Sequence, residues 1–187
     1  MFNENKPVQG ALLLSEPFML DPNFERSVVL LCEHNEDGTV GLVLNHLSHL
    51  LLSDIIDEVQ NEDFPIYLGG PVNSSSLFFL HRANDKITDG THIVDDIYWG
   101  GDFDKLLLLI NENLIDSSEI KFFLGYSGWA PEQLDNEIKQ NSWAVHSSFD
   151  TEITFLTDGE DLWKQALISM GPKYAHVANF PKTPYLN

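Results

Sequence analysis

Cysteine and positive charge are both scarce in this sequence. Cys32 is the single cysteine, which excludes an intramolecular disulfide framework and any zinc or iron–sulfur site built on four thiolates. Ten lysines and arginines stand against 29 aspartates and glutamates, so the 187-residue chain has a formal net charge of −19. Because nucleic acids and anionic membranes are bound through clustered Lys and Arg, this balance predicts no direct nucleic-acid contact and no membrane partner.

Long apolar runs are also missing. The longest, residues 106–110, falls far short of the ~18 residues that a membrane span needs. Residues 1–6 have neither the basic start nor the apolar stretch of a secretory signal. We therefore expect a soluble cytoplasmic protein. Its 43% hydrophobic content, with 12 Phe, 5 Tyr and 4 Trp, is enough for one core, and the length fits one domain spanning residues 1–187.

Short runs rich in Val and Leu, bounded by turn residues, predict strands. They lie at 10–15, 27–34, 40–45, 64–68, 77–81, 92–98, 120–124, 143–147 and 151–155. The Asp37-Gly38 step favours a hairpin between the second and third strands. Helices are expected at 53–59, 103–113, 131–140 and 160–170, the last preceded by a capping box of Thr157 and Glu160. Because strands and helices do not alternate strictly, the pattern favours an α+β fold with a mixed, largely antiparallel sheet, open or barrel-like, and helices packed on it.

Cys32 and His34 are the candidates for catalysis. In a strand their side chains share a face, and a nearby imidazolium lowers the pKa of a thiol, so the pair could supply a thiolate nucleophile. The alternative is a buried core cysteine, since Cys32 follows the apolar run 28–31, with His34 at the exposed end of the strand.

Two glycine-rich segments are candidates for backbone contact with a ligand. Residues 125–129, Gly-Tyr-Ser-Gly-Trp, are expected to form a turn whose N–H groups can hold an anion. A nucleophile elbow at Ser127 would need Gly-x-Ser-x-Gly, and Trp129 stands where the last glycine belongs. The alternative is a structural turn with Trp129 in the core. Gly69 and Gly70, before a proline, could admit a ligand or only turn the chain.

Arginine occurs only at positions 26 and 82. So few guanidinium groups in so acidic a chain favour bidentate carboxylate contacts, either with an anionic ligand or with acids of the protein such as Glu25 and Glu33. His46 and His49 have the one-turn spacing of metal ligands, but no third Cys or His stands nearby, and we expect no metal site.

Taken together, these segments resemble the AlgH/YqgE family of bacterial proteins. The matching blocks follow one another along nearly the whole chain, at residues 10–17, 21–34, 41–45, 68–72, 80–81, 125–129 and 133–137. The resemblance implies a single α+β domain and, because the family is named after a proposed transcriptional regulator of alginate production, a regulatory role. It implies no catalytic residue. Ser127 departs from the family pattern, in which alanine is common, and this argues against a serine nucleophile.

The sequence therefore predicts a non-enzymatic binding or regulatory protein without a cofactor, which binds a small anionic ligand or a protein partner and acts without direct DNA contact. We expect its ligand residues to converge on one surface formed by Asn23, Arg26, Gly69, Gly70, His81, Arg82, Gly125, Ser127, Gly128 and Trp129. The rival hypothesis is a hydrolase or thiol enzyme that uses Cys32 and His34 beside a glycine-turn anion hole.

Overall fold

The computed structural model describes residues 5–60, 64–156 and 158–182. Its strands are β1 (Leu12–Ser15), β2 (Val28–Asn35), β3 (Gly38–Val43), β4 (Leu47–Leu51), β5 (Pro65–Leu68), β6 (Val72–His81), β7 (Thr91–Val94), β8 (Ile97–Trp99), β9 (Ile120–Trp129) and β10 (Trp143–His146). Its helices are α1 (Phe103–Asn111), α2 (Gln133–Lys139), α3 (Ile153–Leu156), α4 (Gly159–Ser169) and α5 (Pro172–Ala175), with 3₁₀ turns at Leu52–Asp54 and Val177–Asn179.

The strands form one open sheet in the order β10-β1-β2-β3-β9-β6-β8-β7, with β5 added on β9 and β4 on β5. Within the described residues, the β5–β9 pair is parallel and the other strand pairs are antiparallel. The α+β prediction is confirmed, in the open rather than the barrel-like form. In the described part of the chain, no helix is both long and apolar enough to cross a membrane.

Strand β9 joins the two halves of the sheet. Residues 122–124 lie between β5 and β6, and residues 127–129 pair with β3. The prediction of a turn at 125–129 is therefore wrong: the strand continues through this segment. Gly125 has a φ of +69°, so the backbone bends there without leaving the sheet, which a residue with a side chain does only at a cost.

Both faces of the sheet around β1 and β2 are buried, because side chains alternate along each strand. Leu12, Leu14 and Leu30 pack in one core with Trp163 of α4. On the opposite face, Leu13, Val29 and Leu31 pack with the two tryptophans beside α2, Trp129 and Trp143. A third core lies beneath α1, around Leu106, Ile110 and Phe122. Burial on two faces explains the continuous apolar runs of these strands.

Most of the predicted elements are present. The hairpin at Asp37-Gly38 is confirmed, since residues 36–37 connect β2 to β3. Helices α1, α2 and α4 are confirmed, with each end within two residues of its predicted position. The predicted strand at 92–98 is split into β7 and β8, because Asp95 adopts a φ of +45° in the turn between them. The proposed capping box rests on Thr157, which lies outside the described residues.

Two further local predictions are wrong, and one strand is missed. The segment 151–155, expected to be a strand, turns into α3, where Glu152 N–H bonds the Asp150 carboxylate at 3.0 Å and the Thr154 hydroxyl bonds the Thr151 carbonyl at 2.6 Å. Such side chain–backbone bonds compete with strand pairing. The helix expected at 53–59 is only a 3₁₀ turn, and β4 was not predicted at all.

Candidate functional site

Arg26 is the more deeply buried of the two arginines, with 4% of its surface exposed. Its guanidinium lies 4.9 Å from the centre of the Trp163 ring and donates hydrogen bonds to the Glu160 carboxylate and, at 2.6 Å, to the carbonyl of Phe180. Among the described residues its Nε has no hydrogen-bond partner. A buried donor without an acceptor costs free energy, so this guanidinium retains the capacity for one more acceptor.

Three cations pair with the carboxylate of Glu160, which lies in the first turn of α4. Arg26, Lys164 and Lys182 all pair with it, the two lysines at 3.0 and 3.2 Å. Burial by itself raises the pKa of Glu160, but hydrogen bonds from the lysines and the charge of Arg26 outweigh it and hold the pKa at about 2. These four side chains carry three positive charges against one negative, in a chain whose overall balance is −19.

A pocket of about 200 Å³ opens beside this cluster. We call it the Arg26 pocket; its lining includes Arg26, Asn45, His46, Gly159, Glu160 and Lys182. The Asn45 amide fixes the wall, since its Nδ2 donates to the carbonyls of Arg26 at 2.9 Å and Gly159 at 2.8 Å. Burial lowers the pKa of His46, which favours the neutral ring. Arg26 and Lys182 supply the positive charge in a lining that also carries the carboxylates of Glu25 and Glu160.

Gly69, Gly70, Gly125 and Ser127 meet where β9 passes from β5 to β3. A Cβ atom on Gly69 would lie 2.4 Å from the Gly125 carbonyl oxygen, and one on Gly125 would lie 2.4 Å from the Gly70 oxygen. The Ser127 hydroxyl is fully buried and donates to the Gly69 carbonyl at 3.0 Å. Backbone therefore fills the space that an anion would need, and close strand packing explains these glycines.

Trp129 lies in the core, as the structural alternative for this segment predicts. It is 6% exposed, and its indole N–H donates to the Glu137 carboxylate at 2.9 Å. The indole of Trp143 donates to the same oxygen at 2.8 Å. Gly128 is exposed on β9, and a Cβ atom there would make only ordinary contacts, 3.4 Å from the Tyr126 ring. Among the described residues, the contacts of Trp129 and Gly128 do not include Arg26.

His81 is fully buried at the end of β6. Its Nδ1 accepts a hydrogen bond from the Ala83 N–H at 3.2 Å, so Nε2 carries the proton and donates to the Gly100 carbonyl at 3.0 Å. Burial lowers the pKa of this ring, which keeps it neutral. With both nitrogens engaged by backbone, His81 acts as a structural residue.

Arg82 and Asn23 have partners within the protein. The Arg82 guanidinium bonds the Asp96 carboxylate through Nε at 2.7 Å and Nη2 at 2.6 Å, with Glu152 at 3.6 Å. Arg82 thus pairs with acids of the protein, which was one of the two alternatives, although Asp96 and Glu152 are not the acids expected from the sequence. Asn23 is exposed, and both its backbone N–H and its Nδ2 donate to the Asp21 carboxylate at 2.9 Å, which shapes the loop before Arg26.

The predicted ligand residues thus occupy distinct environments. The glycines and Ser127 meet at the strand junction, Arg26 contacts the first turn of α4, and Arg82 contacts Asp96 and Glu152. Backbone hydrogen bonds connect the first two places, since Leu68 N–H donates to the His46 carbonyl at 2.8 Å and Val43 N–H to the Gly69 carbonyl at 2.9 Å. A single convergent ligand site remains a prediction.

Cys32 and His34 do not form a thiolate–imidazolium pair. Cys32 is 2% exposed, and burial raises the pKa of its thiol far above its ordinary value. Its Sγ lies 3.7 Å from the Leu30 carbonyl, while the Nδ1 of His34 bonds the Thr39 hydroxyl at 2.7 Å. The core-cysteine alternative is confirmed. The thiol-enzyme hypothesis needs an exposed thiolate, and nothing in this geometry supports it.

Lys121 is the polar residue that the sequence analysis missed. It is 5% exposed in β9, with its Nζ 3.1 Å from the Thr154 carbonyl, 4.1 Å from the centre of the Tyr67 ring and 3.7 Å from the Asp158 carboxylate. The Tyr67 hydroxyl donates to the same carboxylate at 2.8 Å. The available signal was a lysine inside the apolar run of 120–124, where both faces of the strand are buried.

A cavity of about 230 Å³ adjoins this group. We call it the Lys121 cavity; its lining includes Phe64, Tyr67, Ile120, Lys121, Phe155 and Asp158. Burial lowers the pKa of Lys121 to about 8, although the charge of Asp158 acts in the opposite direction. Burial and the hydrogen bond to Asp158 both raise the pKa of Tyr67. The cavity therefore presents an amine that is partly neutral near pH 8 and a phenol that stays protonated.

Two larger pockets, about 440 and 560 Å³, flank the β2–β3 hairpin. Their walls carry acids from β2, from the hairpin turn and from the start of α2: Glu33, Glu36, Asp37, Glu132 and Asp135. Such walls repel anions. Over the residues with described positions, no group of three His, Cys, Asp or Glu side chains is arranged to hold a metal ion.

Comparisons with known proteins agree with this architecture. A family model described as AlgH-like matches residues 12–175. A UPF0301 protein of Parabacteroides distasonis is 45% identical over 188 residues, covering 99% of this chain and 94% of the relative, and one of Cytophaga hutchinsonii is 43% identical over 180 residues, covering 96% and 98%. The solution structure of the AlgH protein from Pseudomonas aeruginosa has a TM-score of 0.71 at 27% identity, covering 96% and 98% of the two chains. A crystal structure from Corynebacterium diphtheriae shares the fold, with a TM-score of 0.77 at 24% identity and 95% coverage of each chain.

Proposed function

This chain belongs to the AlgH-like family, and we propose that it is a non-enzymatic regulatory protein that binds a small anion in the Arg26 pocket. In this proposal residues 1–187 work as one cytoplasmic domain. The ligand is a carboxylate or phosphate whose oxygens bond the Arg26 guanidinium, because the planar paired donors of arginine match the paired oxygens of these groups. The bound state is then recognised by a protein partner.

The observation that carries the proposal is the state of Arg26. Its guanidinium is buried and its Nε is unpartnered within the described structure, beside a pocket that also receives Lys182. The backbone of Arg26 is left-handed, with a φ of +47°, which costs about 1–3 kcal/mol for a residue other than glycine. Such strain persists where the surroundings impose it, and it is concentrated at binding sites.

The size of the pocket limits the ligand. The pocket has a volume of about 200 Å³. A phosphate or a short carboxylic acid fits this volume, whereas drug-sized ligands take pockets of about 300–1,000 Å³. We therefore expect a small acid or inorganic anion, and not a nucleotide.

Regulation follows from the groups that now hold Arg26. Glu160 and the Phe180 carbonyl belong to the C-terminal helical region and occupy Nη1 and Nη2 of Arg26, so an anion that binds Nε together with a neighbouring donor displaces one of them. Binding therefore alters the attachment of α4 and of residues 177–182 to the sheet, with Lys164 and Lys182 released from Glu160 or shared with the ligand. A ligand shifts a conformational equilibrium by its difference in affinity for the two states, and here that difference comes from the contacts it replaces.

Thermal unfolding tests the proposal directly. Wild type, Arg26→Gln and Arg82→Gln are compared with inorganic phosphate, acetate and succinate, each added with a matched chloride control. At 100 times its dissociation constant a ligand adds ~2.7 kcal/mol, which raises the midpoint by about 5–10 °C in a chain of this size.

We expect the shift in wild type and Arg82→Gln and its loss in Arg26→Gln. The two variants remove the same charge, but the Nε and Nη2 of Arg82 are paired with Asp96 and Glu152. Equal shifts in all three proteins would refute the site, and no shift with any of the three anions would refute the ligand class.

A mobility-shift assay tests how a regulatory effect reaches transcription. Binding to DNA weakens steeply with salt, so the assay is run at low salt, where even weak binding is retained. We expect no retarded band, because a chain of net charge −19 repels the phosphate backbone. A salt-sensitive band would contradict the proposal that the protein acts through a protein partner.

A further inference from the structure

Lys121 occupies a position that the fold would ordinarily fill with an apolar residue. Its neighbours in β9, Ile120 and Phe122, belong to the core beneath α1, whereas Phe123, on the same face as Lys121, belongs to the core beneath α4. Lysine is almost never this deeply buried without a full set of partners. At 5% exposure the amine therefore calls for an explanation beyond packing.

The partners of Lys121 do not fully compensate its charge. Its Nζ makes a hydrogen bond of 3.1 Å to the Thr154 carbonyl, but the Asp158 oxygen is 3.7 Å away, beyond hydrogen-bonding distance. Asp158 bonds the Tyr67 hydroxyl instead, at 2.8 Å. The Tyr67 ring, with its centre 4.1 Å from Nζ, is a further partner. This arrangement holds the amine in place while burial favours its neutral form, as suits a group that works as a neutral amine.

We propose that Lys121 is a nucleophilic amine that captures a small uncharged aldehyde or ketone in the Lys121 cavity as a Schiff base. The cavity brings together the three components of this chemistry: the amine, the Tyr67 hydroxyl as proton donor and the Asp158 carboxylate as proton acceptor. Its volume of about 230 Å³ holds a compound of only a few carbon atoms. This inference does not depend on the anion proposed for the Arg26 pocket.

The reaction balances without an oxidant or reductant. The Nζ lone pair attacks the carbonyl carbon and forms an N–C bond, while the carbonyl oxygen takes a proton from the Tyr67 hydroxyl. The nitrogen then gives up a proton to Asp158, which passes a proton on to Tyr67. The hydroxyl of this carbinolamine then leaves as water with a proton supplied by the same pair, and the nitrogen lone pair closes the C=N bond. The proton still on the nitrogen returns to the pair, which restores its original protonation. Amine and carbonyl compound thus give imine and water.

The cavity walls favour a carbonyl compound without a charge. Phe64, Ile120 and Phe155 provide apolar surface, and Asp158 repels a carboxylate. Burial lowers the pKa of Lys121 to about 8, so at pH 7.5 its neutral fraction exceeds that of an ordinary lysine on the order of 100-fold. Lysines on the surface, such as Lys139 of α2, provide the internal comparison.

Reductive trapping tests the proposal. The full chain is incubated with propanal or glyoxylate and sodium cyanoborohydride at pH 6.5–9.5, and the modified lysines are identified by peptide mass mapping. We expect propanal to modify Lys121 roughly tenfold or more faster than Lys139 at pH 7.5, with a rate that levels off above a midpoint near 8. Glyoxylate, which shares the aldehyde but carries a charge, should modify Lys121 more slowly.

Two variants separate chemistry from folding. Tyr67→Phe keeps the ring and removes the hydroxyl, and it should slow trapping at Lys121 while leaving Lys139 unchanged. Lys121→Arg should abolish the fast adduct. If Lys121→Arg does not fold, peptide mapping of the wild type alone decides. Adducts confined to surface lysines would overturn the proposal, and so would faster trapping by glyoxylate than by propanal.

Discussion

Three single glycine-to-alanine variants test whether the glycines of the strand junction are required by close packing of the strands or by contact with a ligand. Gly69→Ala adds a Cβ atom 2.4 Å from a backbone oxygen at a residue without a left-handed φ. Gly100→Ala is the converse, with a φ of +68° and no atom within 4 Å of the new Cβ. Gly125→Ala combines the two, a φ of +69° and a Cβ 2.4 Å from the Gly70 oxygen. The first variant thus tests steric overlap, the second backbone strain, and the third their sum.

The magnitudes follow from these contacts. An alanine with a left-handed backbone costs roughly 1–2 kcal/mol. About 0.4–1 kcal/mol of this is regained because alanine restricts the unfolded chain. Gly100→Ala should therefore lower the free energy of unfolding by about 1 kcal/mol. Overpacking costs about 1–3 kcal/mol, and Gly69→Ala lies at the upper end because a main-chain oxygen cannot rotate away. Gly125→Ala should then lose about 3–5 kcal/mol, a large part of the ~5–15 kcal/mol that stabilises a domain.

Urea unfolding, followed by tryptophan fluorescence, measures all three losses of stability. The thermal midpoint should fall by roughly 2–4 °C for each kcal/mol in a chain of this length. We expect the order Gly100→Ala, Gly69→Ala, Gly125→Ala from mildest to most severe. If Gly69→Ala and Gly125→Ala were no less stable than Gly100→Ala, the junction would be adaptable, and close strand packing would not account for the glycines.

Three further outcomes are expected. Iodoacetamide should alkylate Cys32 no faster than the chain unfolds, because the thiol is buried; rapid labelling of the native protein would contradict this. Glu137→Ala leaves two indole N–H groups without their acceptor and should cost about 2–4 kcal/mol in urea unfolding, against little for the exposed Asp135→Ala on the same helix. The pKa of Glu160 is lowered in the folded state, so its ionised form stabilises the fold above its ordinary pKa of about 4.5. The stability difference between wild type and Glu160→Gln should therefore vanish as pH falls to about 2. A difference independent of pH would refute the ion pairs.

The sequence predicted the elements whose local pattern and tertiary environment agree. The spacing of Leu106 and Ile110 predicts α1, and both are buried. Residues 151–155 mislead because their β-branched side chains favour a strand, while bonds of Asp150 and Thr151 to nearby backbone favour a helical turn. β4 has exposed leucines at positions 47, 50 and 51, and its pairing with β5 depends on a distant segment that no local pattern specifies.

The candidate site was predicted less well for a related reason. Arg26 stood out by rarity, which is visible in composition, but its contact with Glu160 spans 134 positions of the chain. The glycines were assigned to a ligand because a glycine pattern indicates close approach of backbone, and it does not reveal whether the approaching group is a ligand or another strand. Lys121 was overlooked because its burial follows from the helices that cover β9.

The two proposed sites meet at the start of α4, where three consecutive residues are held by side chains from separate parts of the chain: Tyr67 of β5, Asn45 between β3 and β4, and Arg26 before β2. Tyr67 bonds Asp158, the Asn45 amide bonds the carbonyl of residue 159, and Arg26 pairs with Glu160. Displacing Glu160 therefore moves a segment whose first residue is the proton acceptor proposed for the Lys121 cavity. An anion that loosens this turn therefore changes the affinity of Lys121 for the carbonyl compound. Because linkage between binding equilibria is reciprocal, a bound carbonyl compound changes the affinity for the anion by the same factor.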